Sequence, residues 1–410
     1  MSRILLVQPR FPIPNKSHNH KDYLPVGLLK LAAWRRGMGD DVALSLGNLS
    51  GGFEADEVYI TSLFTYWASH VKEAVQHYRR TLPQARITVG GVYASLQPEH
   101  CLRFTGCDAV WRGVHPEAES HSPDYTLVDA EFQIIHASRG CIRRCAFCGT
   151  YEIEPEYIPK ETIASEIVRR HVVFYDNNLL ANPHIGRILG EVADARIEGR
   201  VVSCESQSGI DGRLLLLKPE LAAMLKNARF RNPRIAWDGG LSQREAIREQ
   251  LEILLGAGFA ARDIQVFMLY NHRLSAKTLM AKVQQCSEWG VQVADCRFRP
   301  LDLFHDGYLP RSTSQEDHEY YVHSGWTDTA VRGLRREVRS NNICIRYGIA
   351  RPRYNQTYEK LSGRERRAIA ESLGFHGRQL TPEQLDEVNS EWLRRHGSRK
   401  RRAVAATSAE

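Results

Sequence analysis

The sequence predicts an α/β protein built from two successive parallel-sheet units and a basic helical extension. Three observations carry this. Short apolar runs alternate with helix-like segments from residue 4 to 113; a second alternating series recurs about every 30 residues from 132 to 300; beyond 305 the pattern turns helical and arginine-rich. At 410 residues, the chain exceeds one ordinary core.

The first unit, residues 1–130, reads ILLVQP (4–9), VGLLKLAAWRR (26–36), DVALSLG (41–47), EVYITSLF (57–64), WASHVKEAVQHYRR (67–80), RITVGG (86–91) and DAVWRG (108–113). This is the βα alternation of an open parallel sheet. Its strands end in polar or glycine-rich stretches, where such sheets bind ligands. Residues 116–130 are polar, contain proline and read as a linker.

The second unit, residues 131–305, has strands near FQIIHAS (132–138), VVFYDNN (172–178), VVSCESQSG (201–209), PRIAWDGG (233–240), IQVFMLYN (264–271) and VQVADCRFRP (291–300). Amphipathic patterns such as REAIREQLEILLGAG lie between them, the last with glycines placed for a C-cap. Six units predict a partial barrel, and the polar ends of its strands predict an active rim. Residues 306–410 form the extension, ending in SRKRRAVAATSAE, which reads as a disordered tail.

With 42% apolar and 25% charged residues and no apolar run near the roughly 18 residues a bilayer demands, no membrane span is expected. The initial apolar run ILLV is too short for a signal-peptide core, which predicts a cytoplasmic protein. Nine cysteines argue for reduced thiols or a metal site rather than a disulfide framework. Residues 331–410 carry 18 basic against 9 acidic side chains, which is +9, so the net charge of +7 comes from this region and the rest of the chain is slightly acidic. That region, above all SRKRR, is the candidate for nucleic acid, although its arginines also suit a solvated helix.

The densest chemistry is HASRGCIRRCAFCGT, with Cys141, Cys145 and Cys148 spaced C-x3-C-x2-C. Thiolates suit zinc or iron-sulfur clusters, and structural zinc closes its tetrahedron with four protein ligands. His136 is the available fourth but lies on the predicted strand. The other reading is a 4Fe-4S cluster held at three irons, since four cysteines close such a cluster.

In its spacing, the aromatic Phe147 before the last cysteine, and its place after the first of six βα strands, the motif resembles that of the radical S-adenosylmethionine (SAM) superfamily. The resemblance implies that the open iron chelates SAM and that an electron from the cluster splits it to a 5′-deoxyadenosyl radical. A low-potential donor, flavodoxin or ferredoxin, is implied with it. Asp176, Asn177 and Asn178 stand where the methionyl amino group is held, in place of the usual Gly-Gly-Glu, and capping a helix is their alternative role. Glu205, Gln207, Ser208 and Asp238 stand where ribose and carboxylate are held.

A Rossmann-like domain ahead of such a barrel resembles the cobalamin-binding subfamily, over about the first 300 residues. By position Thr61, Ser62, Gly90, Gly91 and Gly113 are the implied cobalamin contacts. Asp-x-His-x-x-Gly is absent: NKSHNHKDYLPVG offers His18 and His20 outside that frame, as in members that bind cobalamin without a histidine below cobalt. The implied reaction is methylation of an unactivated carbon or phosphorus. Alternatives are a non-methylating radical SAM enzyme whose front domain no longer binds cobalamin, and a cluster-containing protein that modifies or binds nucleic acid.

Two further groups are ambiguous. Asp295, Arg297 and Arg299 either clamp an anion or form a salt-bridged rim. Cys204, Cys286, Cys296 and Cys344, without C-x2-C pairs, read as small buried hydrophobes.

Overall fold

The computed structural model describes residues 1–13, 24–49, 53–348 and 363–375, with positions 384, 387, 388 and 391. His18, His20 and the SRKRR tail lie outside the described residues. The molecule is mixed α/β with parallel sheets. Among the described residues no helix is long and apolar enough to cross a membrane.

The front sheet is all parallel. Its strands are β1 (Arg3–Gln8), β2 (Asp41–Leu46), β3 (Glu57–Ser62), β4 (Arg86–Gly91) and β5 (Ala109–Val110), in spatial order β2-β1-β3-β4-β5. Strand β1 is apolar at every central position because it is covered on both faces. Ile4 and Leu6 pack with Leu28 and Ala32 of α1 (Val26–Gly37); Leu5 and Val7 pack with Val71, Ala74 and Val75 of α2 (Ala68–Thr81) and Cys101 of α4 (Pro98–Thr105). Helix α3 (Val92–Leu96) leaves β4 directly, and α5 (Pro116–Glu119) packs on α1.

The expected linker at 116–130 is a fastened connection. Asp124 holds Arg36 of α1, and the Tyr125 hydroxyl both accepts from Ile134 N at 2.9 Å and donates to Ile134 O at 3.1 Å.

That tyrosine delivers the chain into β6 (Phe132–Ile135). A short ribbon follows, β7 (Ser138–Arg139) antiparallel to β8 (Ile158–Pro159), enclosing α6 (Thr150–Ile153). Then come β9 (His171–Phe174), α7 (Ile185–Asp194), a tight hairpin of β10 (Arg196–Ile197) and β11 (Arg200–Val201), β12 (Ser203–Ser206), α8 (Gly212–Leu217), α9 (Glu220–Asn227), β13 (Arg234–Ala236), α10 (Arg244–Gly256), β14 (Gln265–Tyr270), α11 (Ala276–Glu288), β15 (Gln292–Arg297), α12 (Asp328–Tyr347) and α13 (Gly363–Ser372).

Strands β6, β9 and β12 pair in parallel, as do β13, β14 and β15; a parallel bridge from Ile210 to Ile235 joins the two groups. Six parallel strands thus follow one another in chain order. Registered residues share a face. Val172, Cys204, Ile235, Val266, Met268 and Val293 pack in one core with residues of the flanking helices. The alternate positions His171, Glu205, Arg234, Ala236, Phe267 and Cys296 share the opposite face.

Helix α12, expected in a separate extension, packs on β15 and α11. Val331, Leu334 and Val338 join the same core, and Asn342 bonds Val293 on both sides, accepting from its N at 2.8 Å and donating to its O at 2.7 Å. The packed unit therefore runs on through Tyr347.

Glycine is required where the front sheet's strands end. Gly91 has φ +93°, and a Cβ there would lie 2.2 Å from Ser62 O. At Gly90 the nearest neighbour would be Trp111 Cβ at 3.7 Å. Gly91→Ala is therefore expected to cost at least about 2 kcal/mol, and Gly90→Ala less than about 1 kcal/mol. Urea unfolding of the two variants beside wild type measures both; equal losses would contradict this account.

Candidate active site

Cys141, Cys145 and Cys148 occupy the loop between β7 and α6, beyond the carboxyl end of β6. Gly140 makes the entry: its φ is +73°, and a Cβ would meet Glu156 O at 2.0 Å. The Gly140 amide donates to Glu154 Oε2 at 2.6 Å. Cys148 N donates to Cys145 O at 3.0 Å, the tight turn behind the C-x2-C spacing, and Arg143 N donates to Cys141 Sγ at 3.3 Å. Cys148 Sγ meets Thr150 Oγ1 at 3.1 Å. All three thiols are partly exposed.

Burial pushes the Cys145 thiol up, with further contributions from Asp238 and from the other two cysteines, so the trio and Asp238 lie within electrostatic reach of one another. Gly149 closes the loop: its Cβ would press on Leu96 of α3 at 2.8 Å and on Leu301 at 3.1 Å, so the loop is wedged between the front unit and the segment after β15.

Among the described residues no group of three His, Cys, Asp or Glu side chains is placed to hold a metal ion. His136 is buried with its Nδ1 unpartnered, edge-on to Tyr175. Nothing here builds the Cys3His zinc site. An iron-sulfur cluster takes one thiolate per iron, with the sulfurs standing around it rather than converging on a point. The three thiols are soft donors on one partly exposed loop.

The expected SAM residues divide. Asp176 is fully buried and accepts from Ala137 N at 3.0 Å and Ser138 Oγ at 2.6 Å; it fastens the start of the cysteine loop and is not free to touch a ligand. Asn177 is exposed, accepts from Thr150 Oγ1 at 3.2 Å and donates to Glu154 Oε2 at 3.3 Å. Neither caps a helix by a side-chain bond, and Asn178, which precedes a 3-10 turn, makes no capping bond either. The buried Asn178 donates to Asp211 Oδ2 at 3.3 Å and leaves its Oδ1 without a partner. Asp211 also caps α8 and holds Arg143 of the cysteine loop at 3.0 Å and Arg213 at 2.7 Å.

Glu205 is buried and committed to Arg234 at 3.3 Å and His171 at 3.2 Å. Gln207 is half-buried, and its carbonyls, backbone and side chain, accept from Arg234. Ser208 is exposed at the strand end.

Asp238 differs from the rest. It is exposed and, among the described residues, makes no hydrogen bond or ion pair, yet desolvation raises its carboxyl against the pull of Lys282 and Arg213. Cys296 shares this combination: exposed, with a thiol pushed up to about 12 by desolvation, then by Asp295 and Asp238. Asp238 adds to the electrostatic surroundings of both Cys145 and Cys296, which places the three side chains near one another.

Cys204, Cys286 and Cys344 are buried as expected, whereas Cys296 is a correction, because alternation along β15 turns it to the opposite face from the helix-covered core. Asp295, Arg297 and Arg299 form the salt-bridged rim: both arginines bind Asp306, Arg297 lies over Tyr308 at 4.4 Å, and Asp295 stands 3.7 Å from Arg335. Phe147 meets His272 edge-on at 6.2 Å, and His272 packs on Phe298.

At the front sheet the expected contacts are partly spent. Ser62 Oγ donates to Gly90 O at 2.7 Å and accepts from Ala94 N at 3.1 Å; Ser95 Oγ donates to Gly91 O at 2.7 Å and accepts from Gly113 N at 2.9 Å. Thr61 is half-buried on β3, registered with Gly90. The sequence reading missed the apolar side chains just beyond three adjacent strands: Phe64, Val92 and Trp111 are 39%, 37% and 40% exposed. Ile142, inside the cysteine motif, is likewise exposed.

Burial lifts the Asp176 carboxyl to about 6 despite the hydrogen bonds from Ala137 and Ser138. The folded state therefore binds this proton more tightly than the unfolded chain. The associated stability is fully present below about pH 4 and is lost as pH rises through about 6, up to about 3 kcal/mol. Urea midpoints measured from pH 4 to 7 should fall in wild type relative to Asp176→Asn, and parallel curves would contradict this.

Set beside known proteins, the chain matches no family model and no curated protein.

Proposed function

We propose that the chain is a radical SAM enzyme, using a 4Fe-4S cluster on Cys141, Cys145 and Cys148 to cleave S-adenosylmethionine, with cobalamin as a second cofactor for methylation of an unactivated carbon. The observation that carries this reading is the trio itself: three partly exposed thiols, spaced C-x3-C-x2-C, on one loop beyond a strand's carboxyl end. When bound, a cluster held by Cys141, Cys145 and Cys148 would supply an electron and a coordination site for SAM.

The protein's own residues bind, orient and exclude water. Arg143 is held to Asp211, and Thr150 to Cys148 and Asn177, so the loop is fixed at both ends before any cofactor arrives. Asp238 is the carboxylate free to accept from a ribose hydroxyl or to face a sulfonium. Phe147 offers an apolar face at the loop's end. In the front unit, Phe64, Val92 and Trp111 support a flat, largely apolar ligand such as a corrin at the strand ends. Thr61 remains for its polar rim; Ser62 is engaged with Gly90 and Ala94, and Gly91 and Gly113 with Ser95. An electron donor of the flavodoxin or ferredoxin kind belongs to this reading.

Anaerobic reconstitution with iron, sulfide and hydroxocobalamin, then reduction with SAM present, tests it. The expected result is cluster absorbance, 5′-deoxyadenosine, and corrin retained through gel filtration. Cys141→Ala, Cys145→Ala and Cys148→Ala should each reduce 5′-deoxyadenosine to background, and Trp111→Ala should weaken corrin retention without abolishing SAM cleavage. Cleavage without retained corrin would leave the non-methylating enzyme; a cluster with no SAM cleavage would defeat the enzymatic reading.

A further inference from the structure

A second pair of thiols lies in the front unit, away from the cysteine loop. Cys101 is on α4 and Cys107 leads into β5; both are free, and both belong to the core on the α2 side of the sheet. The helix end brings them together. Gly106 takes the left-handed conformation at φ +76°, its amide bonded to Leu102 O at 3.1 Å, so the chain folds back over the last turn. In this kind of helix ending, the residue after the glycine packs against the one a turn and a half back. Those residues are Cys107 and Cys101.

Thr105 locks the turn, donating to Cys101 O at 2.7 Å and accepting from Cys107 N at 3.3 Å. Across this turn the two thiols interact, each perturbing the other's ionisation. Both cysteines thus share one turn, fixed by its glycine and threonine, within one core.

We propose that Cys101 and Cys107 form a redox-active dithiol that hydroperoxides convert to an intramolecular disulfide. Cys107 keeps slight access to solvent at 7% exposure, whereas Cys101 has none, which makes Cys107 the attacking sulfur and Cys101 the resolving one. Interaction with Cys101 also draws the Cys107 thiol below its ordinary range.

In the first step the Cys107 sulfur bonds to the distal oxygen of the hydroperoxide, the O–O bond breaks, and the leaving alkoxide takes a proton to become an alcohol, or water when the oxidant is hydrogen peroxide. Cys107 is then a sulfenic acid. Cys101 sulfur attacks it, the S–S bond forms, and the hydroxyl leaves as water with the proton of Cys101. Two thiols and one hydroperoxide become one disulfide, one alcohol and one water.

The pair is one residue from a contact between the two units. His100 precedes Cys101, donates or accepts at the Tyr93 hydroxyl at 2.7 Å, and stacks on Phe304 at 3.4 Å between centroids. This chemistry is independent of the cluster and does not rest on the enzymatic reading.

The test uses the anaerobically purified full chain, and in parallel the full chain carrying Cys141→Ala, Cys145→Ala and Cys148→Ala, each treated with one equivalent of hydrogen peroxide and blocked with N-ethylmaleimide in denaturant. Trypsin cuts after Arg103, so the two cysteines fall on peptides 87–103 and 104–112. Mass spectrometry should find these two peptides joined, separable by dithiothreitol, in both proteins. Oxidation should be at least about tenfold faster than at buried Cys204 or Cys286. Cys101→Ser should abolish the link and leave a dimedone-reactive Cys107. Recovery of both peptides singly labelled while Cys204 or Cys286 is oxidised, or linkage of either peptide to another cysteine, would overturn the proposal.

Discussion

The geometry around the cysteine loop hangs on one buried ionic chain. Lys30 of α1 reaches Glu119 of α5 at 2.8 Å; Glu119 is held two-handed by Arg139 at 2.9 and 2.7 Å; Arg139 goes on to Glu154 at 3.2 Å; and Glu154 accepts from Gly140 N at 2.6 Å. This ties the front unit's first helix to the residues on either side of the cysteines. Lys30 is 5% exposed, and burial lowers its pKa even with Glu119 beside it, whereas Arg139 is raised because its two carboxylates outweigh its burial. Removing one partner from such a chain strands a buried charge, a penalty of about 3–5 kcal/mol. The contribution is geometric more than energetic, since an apolar replacement of similar volume can be equally stable.

The face of the second unit opposite its helices is polar for a related reason. Glu205, Arg234 and His171 satisfy one another beneath the strand ends, and Arg234 also donates to Ser206 O at 2.8 Å. Their charges are consumed internally. Near the cysteine loop, Asp238 is a carboxylate left without a partner among the described residues, and Lys282 steadies the backbone on either side of it by donating to Trp237 O at 2.6 Å and Gly239 O at 3.0 Å. A site built this way spends most of its charges on the scaffold and leaves one carboxylate for a ligand.

Much of the fold was legible from period alone. The runs in β1, β14 and β15 and the helical repeats of α2, α10 and α11 carry their structure in apolar spacing, and the parallel order follows from βα alternation. The cysteine trio was legible because ligand spacing is local. Partner choice was not. Asp176 and Asn178 look like ligand residues in DNN, yet Asp176 is bonded to Ser138 and Asn178 to Asp211, across 38 and 33 residues. Nothing in a sequence window reports which polar residue will be consumed by a distant backbone. The exposure of Cys296 follows from strict alternation along VQVADCR, which sets it on the face opposite Val293. The packing of α12 onto β15 was not, because arginine-rich spacing conceals the apolar stripe of Val331, Leu334 and Val338.

The front sheet's strand ends narrow the kind of ligand they can take. The hydroxyls of Ser62 and Ser95 are satisfied by the backbone around Gly90, Gly91, Ala94 and Gly113, and Gly91 admits no side chain. A phosphate-bearing ligand would need donors that these bonds have already taken. What remains accessible is hydrophobic, Phe64, Val92 and Trp111 beyond three neighbouring strands, with Trp111 stacked on His115 at 4.3 Å. Broad, flat apolar surface is what such an edge can bury, at roughly 25 cal/mol per Å². Affinity there must come from area and shape, and the carbonyls and amides of the glycine-rich turns can add orientation.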